Sequence, residues 1–525
     1  MAKKYIGITI GPIFDMMSLV TSPAALWATS YMFSTISKKA CEKLHSGYKE
    51  KAAIISPYFN DPEDELFNKR DGIGLFHDRI IIECNGITLA DINSIKNDVL
   101  IEVSKAFGLE ENELSKRVLF AAAEFETEEN ESPILKGGKI LDSLELPKKI
   151  VFNEKSNPIA DTFTGALKSD DREKQRTSKN SRIKDIAKTN LGIDPQNWSL
   201  LKDNSKDIKS LEDIAASVED SGMKKHNYYA IVRSDGDNMS KIIEKLKPAA
   251  TDGNDVMTIS AFSKTCLEYC AEVAKIVKQY NGVPIYSSGD DLLAIMPCSS
   301  ANNDTVFDFV KDVNKTFSSE NMFGPYITAI KEANKDPKQN KAIPLPSLSF
   351  GISICYSKFP LYEALEDSAN LLFGIAKKDD RKNCTVVRLQ KHSGQSEGLL
   401  IYNDALDDFL KIHDEVKAVK GAETKNELLL SALYKTEKFE YLFNEAVEDK
   451  EIQNLFINTF DAPEHNGNAF VHTVLPDFYK SIHFKNRISA ITDDGLNDKL
   501  NNTKVFNYAL RILKFFVEKS GKEGA

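Results

Sequence analysis

Apolar and polar positions alternate along much of the chain in a way that predicts short strands separated by helices. KYIGITIG near the N-terminus is strand-like, and residues 22–44 repeat apolar side chains at helical spacing behind a capping serine and a first-turn proline. From residue 227 the segments NYYAIVRSD, VPIYSS, LLAIMP, SLSFGISICY and CTVVRLQ are strand-like, and helical periodicity fills residues 259–280, 304–318 and 361–378. The order β-α-β-β-α-β within this region predicts a ferredoxin-like sheet with helices on one face.

Two other regions have different patterns. Residues 155–222 are charged, rich in Ser and Lys and poor in aromatic residues, which predicts a loose insertion with short helices. Beyond residue 398 apolar residues recur at helical spacing, so we expect an all-helical C-terminal domain. We therefore predict an α+β multidomain fold with two ferredoxin-like domains, divided into residues 1–154, 155–222, 223–397 and 398–525.

Composition and charge narrow the class of protein. With 525 residues the chain is too long for one core, and 42% hydrophobic and 28% charged residues are typical of a soluble globular protein. The net charge of -10 argues against a free-standing nucleic-acid binder, although the basic residues 168–188 could contact RNA phosphates. Scattered cysteines, with Cys266 and Cys270 expected in the core, and the lack of a signal-peptide or membrane-span pattern predict a cytoplasmic protein without zinc.

An acidic pair interrupts the apolar run YSSGDDLLAI. Two short apolar strands around Gly289 predict a β-hairpin, which places Asp290 and Asp291 at its tip. A second acidic group, Asp235 and Asp237 in SDGDNM, ends the preceding strand. In a ferredoxin-like sheet this strand is a neighbour of the hairpin, so we expect Asp235 to face Asp290 across the sheet edge.

Converging carboxylates repel one another unless a cation lies between them. Mg²⁺ (or Mn²⁺) binds one or two carboxylates together with phosphate oxygens, and two such ions can activate a hydroxyl and stabilise a leaving pyrophosphate. Gly236 allows close approach of the backbone, the helix that follows offers N–H groups to a triphosphate, and Lys377 offers an ammonium. Each motif alone is common in solvated turns, but two acidic groups at adjacent strand ends, followed by Lys377, favour a nucleotide site.

These segments resemble a known family. YYAIVRSDGDNMSKII, GVPIYSSGDDLLAIMP, SLSFGISICY and FGIAKK are similar to the second palm domain of the large subunit of type III CRISPR effector complexes. ITIGPIFDMMSLVTSPAALWATSYMFSTIS and GIGLFHDRIIIE resemble the first palm domain of the Cmr-type (III-B) version, in which the latter segment carries a Pro-Asp-Arg motif. The resemblance covers both ends of the α/β region and, more loosely, the helical C-terminus.

The resemblance implies a signalling nucleotidyltransferase within an RNA-guided antiviral complex. On target-RNA binding, the second palm transfers AMP from ATP, with two metal ions and release of pyrophosphate, to form a second messenger, by default a cyclic oligoadenylate. The implied partners are other Cmr-type subunits, guide RNA and target RNA. By position, the implied catalytic residues are Asp235, Asp290 and Asp291, which together with Gly236 would also bind metal. The implied nucleotide contacts are Gly236, Asp237, Asn238, Met239, Ser288, Gly289, Ser349, Gly351 and Lys377.

The chain departs from the family pattern at several points. Ser288 replaces the first glycine of the Gly-Gly-Asp-Asp motif, and we expect activity to be retained because serine is small enough for most turns. The sequence starts at the first palm, and neither of its HD dipeptides belongs to a larger ligand set, so no HD nuclease activity is expected. Residues 155–222 contain no cysteine, so the zinc site of relatives is not expected. The first palm lacks an acidic hairpin and is expected to be non-catalytic.

Three alternatives remain open at this point. Some relatives without an HD domain couple AMP to S-adenosylmethionine, so this molecule is a possible second substrate. A stand-alone diguanylate- or adenylate-cyclase-like enzyme would have a similar palm, but it would need neither a first palm nor a helical tail. A structural subunit with an inactive palm is disfavoured because DGDNM, GDD and Lys377 are intact.

Overall fold

The structure is a computed structural model. It describes residues 3–18, 20–60, 66, 71–111, 113–128, 131–146, 180–202, 207–216, 227–247, 256–300, 302, 304–336, 342–418, 422–446, 448–461, 468–485, 487–492, 495–496 and 501–517. Most of the predicted insertion, including the larger part of the basic stretch 168–188, lies outside these residues.

A four-stranded antiparallel sheet forms the first α/β unit, with the strand order β2-β3-β1-β4. Its strands are β1 (Lys3–Gly11), β2 (Ala52–Ser56), β3 (Arg79–Cys84) and β4 (Leu119–Thr127). Its helices are α1 (Ile13–Met17), α2 (Pro23–Tyr48), α3 (Leu89–Ala106), α4 (Glu113–Arg117) and α5 (Pro133–Glu145). A π-helical turn (Ile186–Asn190) and α6 (Leu211–Ala215) follow before the next sheet.

An eight-stranded sheet forms the centre of the second α/β unit, with the order β12-β11-β10-β9-β8-β5-β7-β6. Its strands are β5 (Tyr228–Asp237), β6 (Val283–Ser288), β7 (Asp291–Pro297), β8 (Ser347–Tyr356), β9 (Cys384–Gln390), β10 (Ser396–Tyr402), β11 (Ile488–Thr492) and β12 (Gly495–Leu496). Its helices are α7 (Met239–Ile243), α8 (Ile259–Gln279), α9 (Val306–Phe317), α10 (Gly324–Ala333) and α11 (Leu361–Ala369), and a π-helical segment (Asn370–Ala376) continues α11. The predicted β-α-β-β-α-β order is confirmed, but the expectation of helices on one face is wrong. Val310 of α9 shares a core with Ala230 of β5, whereas Leu365 of α11 shares the core on the opposite face with Ile231.

The C-terminal region is mainly helical but not all helical, which corrects the expectation from sequence. Its helices are α12 (Leu406–Ala418), α13 (Ala422–Lys438), α14 (Glu440–Glu445), α15 (Asp449–Thr459), α16 (Leu475–Lys485) and α17 (Asn502–Val517). Between them β11 pairs with β10 and extends the sheet of the second unit. The run LLIY in β10 and the short run ISAIT in β11 lack helical periodicity, and pairing with an existing sheet edge decides their structure.

Alternating residues of β5 explain how the two α/β units pack together. Tyr228, Ala230 and Val232 belong to the core beneath the unit's own helices and the C-terminal region. Tyr229 and Ile231 point to the opposite face and join the core of the first unit. A backbone hydrogen bond from Ser287 N–H to the Gly74 carbonyl, at 3.2 Å, crosses this interface. The first unit therefore lies against the hairpin that carries the acidic pair.

None of the helices in the described residues is both long and apolar enough to cross a membrane.

Candidate nucleotidyltransfer site

The acidic pair lies at the turn of a tight hairpin. Ser288 at the end of β6 pairs with Asp291 at the start of β7, so Gly289 and Asp290 form a two-residue turn. Gly289 has φ +69°, a conformation that glycine adopts without steric cost and that suits the first position of such turns. The Cys270 thiol donates to the Gly289 carbonyl at 3.3 Å and supports the turn from α8. The predicted hairpin is confirmed, and Ser288 is accommodated in strand geometry without a positive φ.

The end of β5 brings Asp235 to this hairpin. Ser234 lies opposite Leu292 in the antiparallel register of β5 and β7, so continuing the register places Asp235 opposite Asp291. The Asp290 carboxylate accepts a hydrogen bond from the Gly236 backbone. A Cβ atom on Gly236 would overlap the Asp290 carboxylate and the Met239 side chain, so only glycine permits this approach. The three carboxylates predicted from sequence therefore converge.

The electrostatics of the three carboxylates are unbalanced. Burial, followed by the charge of Asp235, raises the pKa of Asp290 to about 7, and Lys377 opposes the shift. Burial also raises the pKa of Asp291 well above its usual range, with further contributions from the charges of Asp235 and Asp290 and from a hydrogen bond with Asp235. Both shifts mean that the surroundings disfavour the charged forms of these two carboxyls, first through burial and then through the neighbouring carboxylate charges.

Lys377 is the cation nearest to this group among the contacts of the described residues. It follows the π-helical segment, and its Nζ lies 2.8 Å from the Asp235 carbonyl, 2.7 Å from the Gly236 carbonyl and 2.5 Å from Asp235 Oδ2. It also contacts Asp237 Oδ1 at 2.9 Å. Burial favours its neutral form, but the two carboxylates outweigh burial, so the pKa of Lys377 is raised and the ammonium stays charged.

Asp237 has contacts of a different kind from the other three aspartates. It is completely buried, and Ser347 and Ser349 donate to its Oδ2 at 2.9 and 2.8 Å. The backbone N–H of Asn383 donates to the same oxygen at 3.0 Å. The sequence reasoning placed Asp237 along a triphosphate, whereas the structure surrounds its carboxylate with protein donors.

The other residues predicted to contact the nucleotide either lie beside the three carboxylates or are buried in contacts with the protein. Met239 lines a cavity beside the hairpin, and Asn238, with φ +59°, donates from its side chain to the Leu345 carbonyl at 3.0 Å. Ser349 is completely buried and bonded to Asp237. A Cβ on Gly351 would overlap backbone atoms of α11 and its π-helical continuation, so this glycine serves close packing of helix on strand. The structure thus gives Ser349 and Gly351 protein contacts in the positions where nucleotide contacts were expected.

A cavity of about 380 Å³ separates the hairpin from the first unit. Its second-unit wall includes Met239, Phe262, Cys266 and the segment 288–291, and its first-unit wall includes the segment 77–79. The segment 77–79 also lines a neighbouring cavity of about 240 Å³, together with Phe14, Phe33 and Tyr286. Ser288 and Asp291 line both cavities, and the Ser288 hydroxyl is buried without a hydrogen-bond partner.

Asp78 and Arg79 are site residues to which sequence reasoning gave no role. Arg79 donates to Asp142 at 2.6 Å and to Glu145 at 3.1 Å. Burial raises the pKa of Asp78 to about 6, against the influence of Arg79. The signal was present as the segment GIGLFHDRIIIE, but only the packing of the two units shows that it faces the acidic hairpin.

The acidic group offers the oxygen ligands that divalent cations prefer, but it is not a preformed metal centre. In the described residues no group of three or more His, Cys, Asp or Glu side chains already has a metal-binding arrangement. One Asp235 oxygen is bonded to Lys377, so a cation at this oxygen would compete with the ammonium. A divalent cation would favour the charged forms of Asp290 and Asp291, which burial and the Asp235 charge disfavour, so the donor chemistry fits a divalent ion after side-chain adjustment.

Two family models match the chain. Residues 228–386 match the Cas10/Cmr2 second palm domain, and residues 5–118 match the N-terminal region of the CRISPR-associated protein Cmr2. A curated relative, CRISPR system Cmr subunit Cmr2 of Pyrococcus furiosus, is 28% identical over 186 residues. That match covers 32% of this chain and 19% of the relative, so it reports on a minor part of the relative's length.

Solved structures share the fold over nearly the whole chain. The apo state of a type III-B Cmr-beta complex has a chain that matches with a TM-score of 0.59 and 13% identity, covering 99% of this chain and 82% of that one. The same type of complex bound to cognate target RNA gives a TM-score of 0.55, at 11% identity over 98% of this chain and 83% of that one. A Csm1-Csm4 cassette in complex with cA4 matches with a TM-score of 0.50 and 12% identity, covering 98% of this chain and 70% of that one.

Proposed function

We infer that the chain, which belongs to the Cmr2-type large subunits of the Cas10 family, is a signalling nucleotidyltransferase that transfers AMP from ATP. The observation that carries this inference is the convergence of Asp235, Asp290 and Asp291 at the ends of β5 and the β6–β7 hairpin, with Lys377 beside them. Carboxylates and a lysine at this spacing are suited to metal-assisted phosphoryl chemistry rather than to packing.

Two Mg²⁺ or Mn²⁺ ions would be held by the carboxylates of Asp235, Asp290 and Asp291, with the Gly236 carbonyl as a further oxygen ligand. When bound, such ions lower the cost of charge on the attacking hydroxyl and on the leaving pyrophosphate. The chain's own residues orient the substrates. Gly236 leaves room for the Asp290 carboxylate, Met239 and the apolar wall of the larger cavity receive the nucleotide, and Lys377 contributes positive charge.

The reaction joins the α-phosphorus of ATP to a hydroxyl of the acceptor. The bond between this phosphorus and the bridging oxygen of pyrophosphate breaks, the hydroxyl proton goes to solvent, and pyrophosphate leaves. By default the acceptor is a second adenine nucleotide and the product is a cyclic oligoadenylate. The support is the fold shared with a Csm1-Csm4 cassette that was solved with cA4.

An alternative acceptor, S-adenosylmethionine, is favoured by the charges on the first-unit wall. Asp78 lines both cavities, and Arg79, the basic residue beside it, already pairs with Asp142 and Glu145. A triphosphate acceptor needs unpaired cations, whereas a sulfonium or ammonium group is attracted by carboxylates. We therefore retain AMP transfer to S-adenosylmethionine as the second candidate.

We further propose that the chain works in the cytoplasm within a ribonucleoprotein complex with other Cmr-type subunits, guide RNA and target RNA. The support is the fold shared with Cmr-beta complexes, one of which was solved with cognate target RNA. We also propose that residues 1–154 act as the non-catalytic palm, 223–397 as the catalytic palm and 398–525 as the C-terminal domain.

The deciding experiment is product analysis with the assembled complex. The complex is incubated with target RNA, Mg²⁺ and ATP, with and without S-adenosylmethionine, and the products are identified by mass spectrometry. We expect pyrophosphate and an AMP-containing product, which disappear in the Asp290→Ala and Asp291→Ala double variant. Unchanged product in the double variant would refute the site, and product formation by the isolated chain without RNA would favour a stand-alone cyclase.

A further inference from the structure

Asp237 has contacts that the proposed chemistry does not use. Its carboxylate is 0% exposed and accepts hydrogen bonds from four donors. Lys377 donates to Oδ1 at 2.9 Å, and Ser347, Ser349 and the Asn383 backbone donate to Oδ2 at 2.9, 2.8 and 3.0 Å. Oδ2 has three donors, and Oδ1 bonds to Lys377 within a fully buried carboxylate, so a metal ion or a nucleotide hydroxyl could reach Asp237 only by displacing protein atoms.

We propose that Asp237 is a positioning residue that holds Lys377 at the nucleotide site and is not a ligand of metal or nucleotide. Lys377 has two carboxylate partners, Asp235 and Asp237. Asp235 belongs to the converging acidic group and is the partner for which a divalent cation competes. Asp237 is enclosed by protein donors and remains bonded to Lys377 when Asp235 binds a cation. This inference deepens the proposed function, on which its catalytic readout rests.

The surroundings of Asp237 are built to keep it in place. Ser347 and Ser349 alternate along β8 and therefore present their hydroxyls to the same side. Asn383 has φ +48°, a left-handed conformation that asparagine adopts more readily than most residues with a side chain. Asn403 holds this segment against β8 by donating to the Asn383 side chain at 3.0 Å and to the Leu348 carbonyl at 2.9 Å.

The first test compares Asp237→Asn with Asp235→Asn in the assembled complex. An amide NH₂ cannot accept hydrogen bonds, so Asp237→Asn loses contacts with its donors. We expect kcat to fall by about 10-fold or more, as for other supporting residues, with the Mg²⁺ concentration at half-maximal rate unchanged. Asp235→Asn should instead raise that Mg²⁺ concentration. An equal rise in both variants would identify Asp237 as a metal ligand and overturn the proposal.

The second test does not depend on activity. The rate of acetylation of the Lys377 amine is followed by mass spectrometry in the full chain without nucleotide. Asp237→Asn should raise this rate several-fold, and the Ser347→Ala and Ser349→Ala double variant should raise it by less. Asp367→Asn is the matched control, because Asp367 is also shielded and is bonded to Arg388 and Ser353 at 2.5 and 2.6 Å. Asp367→Asn should destabilise the chain without changing the rate of acetylation of Lys377.

The outcomes distinguish the two proposals. If the wild-type complex forms no AMP product but Asp237→Asn still releases Lys377, the proposed function fails and the positioning role stands. If the wild-type complex is active and Lys377 reacts equally in wild type, Asp237→Asn and the serine double variant, the positioning role fails. The serine variant gives this answer even where Asp237→Asn does not fold.

Discussion

The two α/β units share a strand order but carry different residues at the same place. The order β2-β3-β1-β4 recurs as β6-β7-β5-β8. Thr9 pairs with Arg79, the first residue of β3, and continuing the register past Ser234 and Leu292 places Asp235 opposite Asp291, the first residue of β7. The corresponding sets are Thr9, Asp78 and Arg79 in the first unit and Asp235, Asp290 and Asp291 in the second.

Charge balance separates these two sets. In the first unit Arg79 pairs with Asp142 and Glu145, and Thr9 donates to Glu145 at 2.6 Å, so the protein supplies the counter-charge. Burial raises the pKa of carboxyls in both sets, Asp78 in the first and Asp290 and Asp291 in the second, but the second set consists of carboxylates alone, and Lys377 bonds directly only to Asp235 of the three. One topology thus supports a set with an arginine paired to acidic side chains and a set of three carboxylates, and this difference supports the proposal that catalysis belongs to the second unit.

The largest expected effect comes from changing equivalent residues in the two units. Asp235→Asn should lower the rate of AMP transfer by about 100-fold or more, because metal assistance contributes several kcal/mol and each 1.36 kcal/mol is tenfold. Thr9→Val removes the equivalent side chain's hydrogen bond and should cost about 1 kcal/mol of stability with little effect on rate. Equal rate losses in single-turnover assays would contradict the division of labour.

The next effect sharpens the role of the first unit's carboxylate. Asp78 has a pKa of about 6, so it is mainly charged at pH 7.5, and it lines both cavities. Asp78→Asn should raise KM about 10-fold for a cationic acceptor, through loss of a charge-assisted contact of about 1.4 kcal/mol. For a triphosphate acceptor the same change removes the repulsion between the Asp78 carboxylate and the phosphates. KM for that acceptor should therefore stay the same or fall. The sign is read by varying each acceptor at saturating ATP.

The same comparison shows how far sequence alone reaches. The alternation in β5 and the glycine between two apolar runs were enough to predict the hairpin and the meeting of Asp235 with Asp290 and Asp291. These features are local, or follow from one sheet topology. Asp78 faces the hairpin only because the two units pack together. The apolar pattern around Asp78 and the pattern of the hairpin do not predict this contact.

The role of Asp237 was also beyond the sequence. A DGD turn is compatible with metal binding by either aspartate, and the distinction depends on Ser347, Ser349 and Asn383, which are remote in sequence. β11 was missed for a related reason, since a five-residue run pairs only because the edge strand β10 is available. Long-range contacts, rather than local preference, decide both cases.

A smaller effect concerns stability and pH. Because burial and Asp235 raise the folded-state pKa of Asp290 from 3.8 to about 7, its protonation stabilises the fold fully below pH 4, and this contribution is lost as pH rises through 7. Asp290→Asn should therefore raise Tm at pH 8 by about 2–5 °C and leave it unchanged near pH 4. Thermal unfolding in EDTA measures this. Asp78 has a folded-state pKa of about 6, so Asp78→Asn should raise Tm by less than Asp290→Asn does. This increase in Tm should also reach its full size at a lower pH. A lower Tm for Asp290→Asn at pH 8 would show that the group is balanced by protein charges.

The smallest expected effect separates turn geometry from turn chemistry. Gly289 and Gly394 both have positive φ, +69° and +84°, and a Cβ on either would meet no atom within 4 Å. Alanine at either position should therefore cost about 1 kcal/mol of stability from backbone strain alone. Only Gly289→Ala should also lower the rate of AMP transfer, because the strain is relieved by moving Asp290 relative to Asp235. Matched losses of Tm with a rate defect in Gly289→Ala alone would show that catalysis depends on where the hairpin holds its carboxylates. A similar rate defect in Gly394→Ala would trace the effect to general destabilisation of the second unit.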